Sequence, residues 1–182
     1  MLTLADHILD ITENSIRANA KLIEISIEED SQNDLLTIEI KDDGHGMSRD
    51  VLQKVLDPFY TTKTVRRIGL GLPLLRDAAE RSGGTFQIES QENSGTTVKA
   101  TFGLRHLDRQ PLGAIINILI ILILSNSSVD FFYKHRHNDR RFEVDTREIR
   151  REIDDIPISH PEIIKYIRGT IEEGLRDIEP EA

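Results

Sequence analysis

The alternation of apolar and polar positions along the chain predicts most of its elements. Over residues 2–18, Leu4, Ile8 and Ile11 mark one apolar face at helical spacing, and Leu2, Leu9 and Ile16 mark a second. Between them runs a narrow polar stripe of His7, Asp10, Asn14 and Arg17. At about 100° per residue these four project the same way. A helix apolar on two sides is embedded in a fold, so the stripe reads either as a solvated face or as the wall of a ligand cavity.

Two alternating stretches follow. Ile23, Ile25 and Ile27 point one way in Leu22–Glu28, and Leu36, Ile38 and Ile40 repeat the pattern in Leu36–Lys41. The polar link at 29–34 makes them a hairpin of half-buried strands. Asp42-Asp43-Gly44-His45-Gly46 then breaks the pattern with turn residues. A short helix is expected around Ser48–Leu56, and residues 57–71 carry no period, as functional segments often do not. Leu72–Arg81 reads as a helix stopped by Ser82-Gly83-Gly84. Thr85–Ser90 and Thr96–Leu104 alternate again, with Phe86/Ile88 and Val98/Ala100/Phe102 as inward sets. The order α-β-β-α-α-β-β predicts an α+β two-layer sandwich, a mixed or antiparallel sheet with helices on one face.

Past residue 105 the pattern changes, and the expected division is a domain over 1–104 followed by an extension over 105–182. Gly113–Leu124 is almost wholly aliphatic. As a helix it rises only about 18 Å, too short for a hydrocarbon core of about 30 Å; a helix packed on the domain is expected, with a buried strand or a partner-binding helix as the alternatives. A hairpin is expected from Val129–His137 and Arg141–Asp145 around Asn138-Asp139. Capping-box sequences begin at Asp145 and Ser159, the second opening a helix with Ile164, Ile167, Ile171, Leu175 and Ile178 on one face.

Composition narrows the function. The 182 residues carry a net charge of −9 and no cysteine, which excludes disulfides, thiolate zinc sites and a thiol nucleophile. An acidic surface argues against coating nucleic acid, whose phosphates need clustered Lys and Arg. No apolar run of roughly 18 residues and no signal-peptide pattern is present, so a cytoplasmic protein without membrane spans is expected.

Three sites carry candidate chemistry. In the polar stripe, Asn14 offers a neutral oxygen suited to Mg²⁺, Arg17 suits phosphate oxygens, and Asp10 is a carboxylate able to orient or deprotonate an attacking oxygen. Asp43 in Asp43-Gly44-His45-Gly46-Met47 follows a strand, where a carboxylate can accept from an exocyclic amine and glycines let backbone approach a planar ring. Gly69-Leu70-Gly71-Leu72 precedes a helix and can turn backbone N–H groups toward an anion. Each alone is equally a solvated face, a turn or a flexible loop.

Taken in order, these segments resemble the GHKL superfamily, the ATP-binding fold of gyrase, Hsp90, histidine kinases and MutL. Residues 10–17 resemble its N box and 43–47 its G1 box; Pro58-Phe-Tyr-Thr-Thr-Lys63 is similar to the F box of histidine kinases, and Gly69-Leu-Gly71-Leu72 to the G2 box. Ser82-Gly-Gly-Thr85 and Gly95-Thr96-Thr97 resemble the closing strands.

The resemblance implies that Asn14 ligates Mg²⁺ and Arg17 contacts the phosphates. It further implies that Asp43 recognises adenine with Thr96 nearby, and that Gly46 and Met47 border the base. Thr61, Thr62 and Lys63 would lie at a mobile lid, and Gly69, Leu70, Gly71 and Leu72 would close over the phosphates.

The departures are specific. Arg67 stands where the G2 box usually begins with glycine, and Asp10 stands where hydrolysing members carry Glu and many histidine kinases Asn. None of the six histidines lies in a phosphoacceptor context, and few residues precede Asn14, so any phosphoryl acceptor is expected on another protein. His135 and His137 share a strand face, as a packed or exposed pair or as metal ligands. The expected protein binds Mg-ATP and is a histidine kinase-like kinase or ATPase with a protein partner, homodimerisation being admitted. The alternative is an ATP-gated binding module with little turnover.

Overall fold

The computed structural model describes residues 3–56 and 71–182. In chain order the elements are α1 (Leu4–Arg17), β1 (Leu22–Asp30), β2 (Leu35–Asp42), α2 (Arg49–Lys54), α3 (Gly71–Arg81), β3 (Phe86–Gln91), β4 (Gly95–Gly103), α4 (Ile115–Ser125), β5 (Asp130–His137), β6 (Arg140–Asp145), α5 (Thr146–Ile153) and α6 (Pro161–Ile178).

The strands form one mixed six-stranded sheet in the order β3-β4-β2-β1-β5-β6. Every pairing is antiparallel except β1 with β5. Period-two alternation decides which face each residue takes. Ile23, Ile25 and Ile27 of β1, Leu36, Ile38 and Ile40 of β2, Val98, Ala100 and Phe102 of β4, and Phe131 and Tyr133 of β5 make the buried face. The opposite face carries cross-strand ion pairs such as Lys41–Glu24 at 3.4 Å and Lys134–Glu28 at 3.3 Å, partly open to water.

Helix α1 starts at a capping box in which Thr3 and Asp6 exchange side chain-to-backbone hydrogen bonds. It buries Leu4, Ile8 and Ile11, and its flank packs on α3 and α4.

The residues after 105 belong to the same sheet. The parallel strand β5 pairs with β1 along its whole length, Leu22 opposite Asp130 through Glu29 opposite His137. The aliphatic α4 buries Ile115, Leu119, Ile120, Leu122 and Ile123 between α1 and α6. Residue 104 therefore ends a sequence pattern but not a layer of the fold.

One of the two expected caps differs from the sequence expectation. Asp145 caps α5 by accepting from Arg147 N–H. His160, not Ser159, caps α6, its Nδ1 accepting from Glu162 N–H, because Pro161 takes the first helical position.

Candidate nucleotide site

Helix α1 carries the polar stripe along one side. Arg17 is half exposed and bonds Glu13 Oε2 at 3.3 Å and Asn14 Oδ1 at 2.5 Å. The Asp10 carboxylate is seated at the beginning of α3. A Cβ placed on Gly71 would meet Asp10 Oδ2 at 1.6 Å, so only glycine admits this approach. His7, at the other end of the stripe, is buried and hydrogen-bonds Gln110 at 2.9 Å.

The carboxylate that meets α1 is that of Asp42. Leu36, Ile38, Ile40 and Asp42 alternate onto the buried face, and Asp42 is only 8% exposed. Its Oδ2 accepts the Ser15 hydroxyl at 2.6 Å and its Oδ1 accepts Gly44 N–H at 2.9 Å.

Asp43 is exposed and takes a different post. Its Oδ1 accepts from Lys21 N–H at 2.7 Å and Leu22 N–H at 3.0 Å, tying the start of β1 to the end of β2. Asp42 and Asp43 thus lie on opposite faces of the sheet, Asp42 buried and Asp43 exposed, because a one-residue step along a strand reverses the face.

A row of polar side chains lies across three strands at this end of the sheet. Ser90 of β3 lies opposite Thr96 of β4, and Thr96 lies opposite Asp42 of β2. Ser90 Oγ contacts Thr96 Oγ1 at 2.9 Å and Gly95 O at 3.0 Å, and accepts Met47 N–H at 2.9 Å. Gly46 holds φ +64°, and a Cβ there would meet Gln91 O at 1.9 Å, so the backbone at 46–47 lies tight against the β3–β4 hairpin.

The expected site residues Asn14, Arg17 and Asp10 therefore share one side of α1. Gly71 and Leu72 begin α3 against it, while Gly46, Met47 and Thr96 gather at the end of the sheet. Thr61, Thr62, Lys63, Gly69 and Leu70 lie outside the described residues. Sequence reasoning missed Ser15, Asp42 and Ser90. The signal was available for two of them: Asp42 continues the inward set of Leu36, Ile38 and Ile40, and Ser90 continues Phe86 and Ile88.

The histidine pair of β5 is not a metal centre. His135 Nε2 hydrogen-bonds Glu29 Oε1 at 2.7 Å, and both side chains are fully buried. His137 bonds Ser31 and Ile178 O. Among the described residues no cluster of His, Asp and Glu has the form of a metal site.

Residues 2–106 match the family of histidine kinase-, DNA gyrase B- and HSP90-like ATPases, and the chain belongs to it. It is 30% identical over 110 residues to sensor histidine kinase ZraS of Escherichia coli (strain K12), covering 60% of this chain and 23% of that kinase. It is 40% identical over 72 residues to sporulation kinase E of Bacillus subtilis (strain 168), covering 40% of this chain and 10% of that one. The chain thus spans less than a quarter of the length of these relatives.

Among solved structures, the Aquifex aeolicus MutL ATPase domain complexed with ADP superposes with a TM-score of 0.52 at 16% identity, covering 80% of this chain and 63% of that one. The N-terminal domain of a DNA repair protein gives a TM-score of 0.57 at 17% identity, covering 79% and 52%. At these identities the likeness is one of fold. Both matches cover more of the chain than residues 2–106, in keeping with β5 being a full member of the sheet. Among the described residues no helix is long and apolar enough to cross a membrane.

Proposed function

We propose that the chain binds Mg-ATP where α1, the end of β2, the end of β4 nearest Thr96 and the start of α3 converge. There it would act as a histidine kinase-like protein kinase or ATPase on a partner protein or in its regulation. One observation carries the reading: the 2.6 Å bond from Ser15 to Asp42 joins α1, the helix that carries the polar stripe, to the end of β2 where the glycine turn begins. Membership of an ATPase family and the fold of an ADP-complexed neighbour support it.

Asp42, rather than Asp43, would accept from the exocyclic amine of adenine. Its two oxygens offer about four acceptor positions, of which Ser15 and Gly44 use two. Gly46 and Met47 would border the base beside Thr96. Arg17 would leave Glu13 for the phosphates, while Thr61, Thr62, Lys63 and the run Gly69–Leu72 would close over them.

Asn14 fits a magnesium ion, because its amide oxygen is a hard neutral donor that leaves positions for water and phosphate. Arg17 must give up its bond to that oxygen first. Bound there, the ion would neutralise phosphate charge. Asp10 would take the proton of the attacking hydroxyl or water.

A second reading, an ATP-gated switch with little turnover, is favoured by the seating of Asp10 against Gly71. That contact gives the carboxylate a post in holding α3.

Titration calorimetry of the full chain with Mg-ATP tests the binding. Asp42→Ala should lower affinity at least about 30-fold, the loss of a hydrogen bond to a charged group together with its neighbours' order. Absence of binding to the unaltered chain overturns the proposal. Radiolabelled ATP added with a lysate of the host then separates the readings: free phosphate marks an ATPase, a labelled protein a kinase, and neither the switch.

A further inference from the structure

Ser90 has one proton and makes three contacts, which fixes the direction of every hydrogen bond around it. Its Oγ accepts Met47 N–H, using one lone pair. Gly95 O can only accept, so the Ser90 proton goes there, across 3.0 Å. The third contact, to Thr96 Oγ1 at 2.9 Å, is then satisfied only if Thr96 donates into the second lone pair of Ser90.

The Thr96 hydroxyl is thereby left with lone pairs alone for anything bound beside it. Its cross-strand neighbour Asp42 is an acceptor as well, with its own donors already supplied by Ser15 and Gly44. Two side chains on adjacent strands thus present only acceptors at the end of the sheet. A group that meets them without penalty must donate, and a carbonyl facing them would leave buried lone pairs opposed.

We propose that Ser90 is a specificity-determining positioning residue: by holding the Thr96 proton away from the ligand, it makes the site choose a 6-amino purine over a 6-oxo purine. The inference rests on the nucleotide reading above and adds to it the residue that enforces the choice. Removing Ser90 frees the Thr96 hydroxyl to rotate and donate, which relieves the penalty on a carbonyl.

The test is the ratio of dissociation constants for ADP and inosine diphosphate, with Mg²⁺, measured by calorimetry on the full chain. The two ligands carry an amine and a carbonyl respectively at the position in question. The unaltered chain should favour ADP, and Ser90→Ala should shrink that preference about five- to ten-fold, the worth of one hydrogen bond. Ser90→Thr, which keeps the hydroxyl, should restore it.

Thr96→Val removes the reader itself, so it should shrink the preference similarly, and Ser90→Ala added to it should change the ratio no further. A Ser90→Ala ratio equal to that of the unaltered chain, or an equal loss of both ligands, overturns the proposal. If Ser90→Ala does not fold, an unchanged ratio in Thr96→Val overturns it. An unaltered chain that binds both ligands alike sinks this inference alone, whereas one that binds neither sinks the nucleotide reading and this inference with it.

Discussion

Asp10 Oδ2 occupies the space that the side chain of any other residue at position 71 would need, 1.6 Å from where its Cβ would stand. The contact couples the middle of α1 to the first residue of α3. It also reverses an ordinary expectation. Alanine is favoured over glycine within a helix by about 1 kcal/mol.

Here Gly71→Ala should instead destabilise by about 1–3 kcal/mol, because a half-buried carboxylate or the helix start has to move. Combined with Asp10→Ala, the same substitution should become neutral or stabilising. Urea-unfolding midpoints of the two single variants and the double variant measure that coupling, and additive effects would show that the contact carries no energy.

Asp43 and Asp42 should separate by their consequences. The Asp43 carboxylate holds the N–H groups of Lys21 and Leu22 where α1 leads into β1. Asp43→Ala should lower stability by about 1 kcal/mol and leave nucleotide affinity nearly unchanged. A loss of affinity in Asp43→Ala that matches the loss in Asp42→Ala would return the base-contact role to Asp43. Unfolding curves and calorimetry on the same samples decide between these outcomes.

What the sequence made legible, and what it hid, follows from this same pair. Helices and strands could be read because their periods are long and regular: the inward isoleucines of β1 and the stripe of α1 repeat several times. The choice between Asp42 and Asp43 depended on one step at the end of a strand, where turn residues and motif spacing draw attention away from parity. Counting on from Ile40 puts Asp42, not Asp43, on the buried face. Ser15 was hidden differently, since a small hydroxyl beside Asn14 is unremarkable until a strand from elsewhere brings Asp42 to it. The pairing of β5 with β1 was not legible, because a parallel neighbour about a hundred residues away leaves no local mark.

The Glu29–His135 pair predicts acid sensitivity at the end of the sheet reached by the chain's last residues. Glu29 accepts from His135 Nε2–H, from Glu181 N–H at 2.5 Å and from Ala182 N–H at 3.1 Å, while the Tyr133 hydroxyl shares a hydrogen bond with His135 Nδ1 at 2.9 Å. Burial pushes the Glu29 carboxyl up, but the hydrogen bonds from His135 and Glu181 N–H, with the nearby imidazoles, outweigh it and hold it below its ordinary 4.5. Burial and the Glu29 charge together raise the Tyr133 hydroxyl, which stays protonated.

The stability from Glu29 is therefore complete above about 4.5 and is lost as pH falls through the lower folded value. Glu29→Gln places an amide N–H₂ against either the His135 donor or the two terminal N–H groups and should cost about 2–4 kcal/mol at neutral pH. It should also flatten the acid limb of stability against pH. Unfolding midpoints that keep the original acid slope in Glu29→Gln would assign that limb to other carboxylates.

His7 predicts a second and higher window. Burial lowers the His7 imidazole below its ordinary 6.5, against the opposing pull of the Gln110 hydrogen bond and of the Asp6 and Asp10 carboxylates. The neutral ring suits its surroundings: Nε2–H donates to Gln110 Oε1, and Nδ1 is buried without a hydrogen-bond partner among the described residues. Because the unfolded chain takes up the proton first, the contribution of His7 is complete above about 6.5 and is lost as pH falls toward the lower folded value. His7→Phe should flatten stability as pH falls below about 6.5 while leaving the Glu29 limb in place. Unfolding midpoints across both windows measure this, and a His7→Phe curve parallel to the original would mean that α1 accommodates the charged ring. Since the same helix holds Asp10, Asn14 and Ser15, any loss of nucleotide affinity in the upper window should disappear in His7→Phe as well.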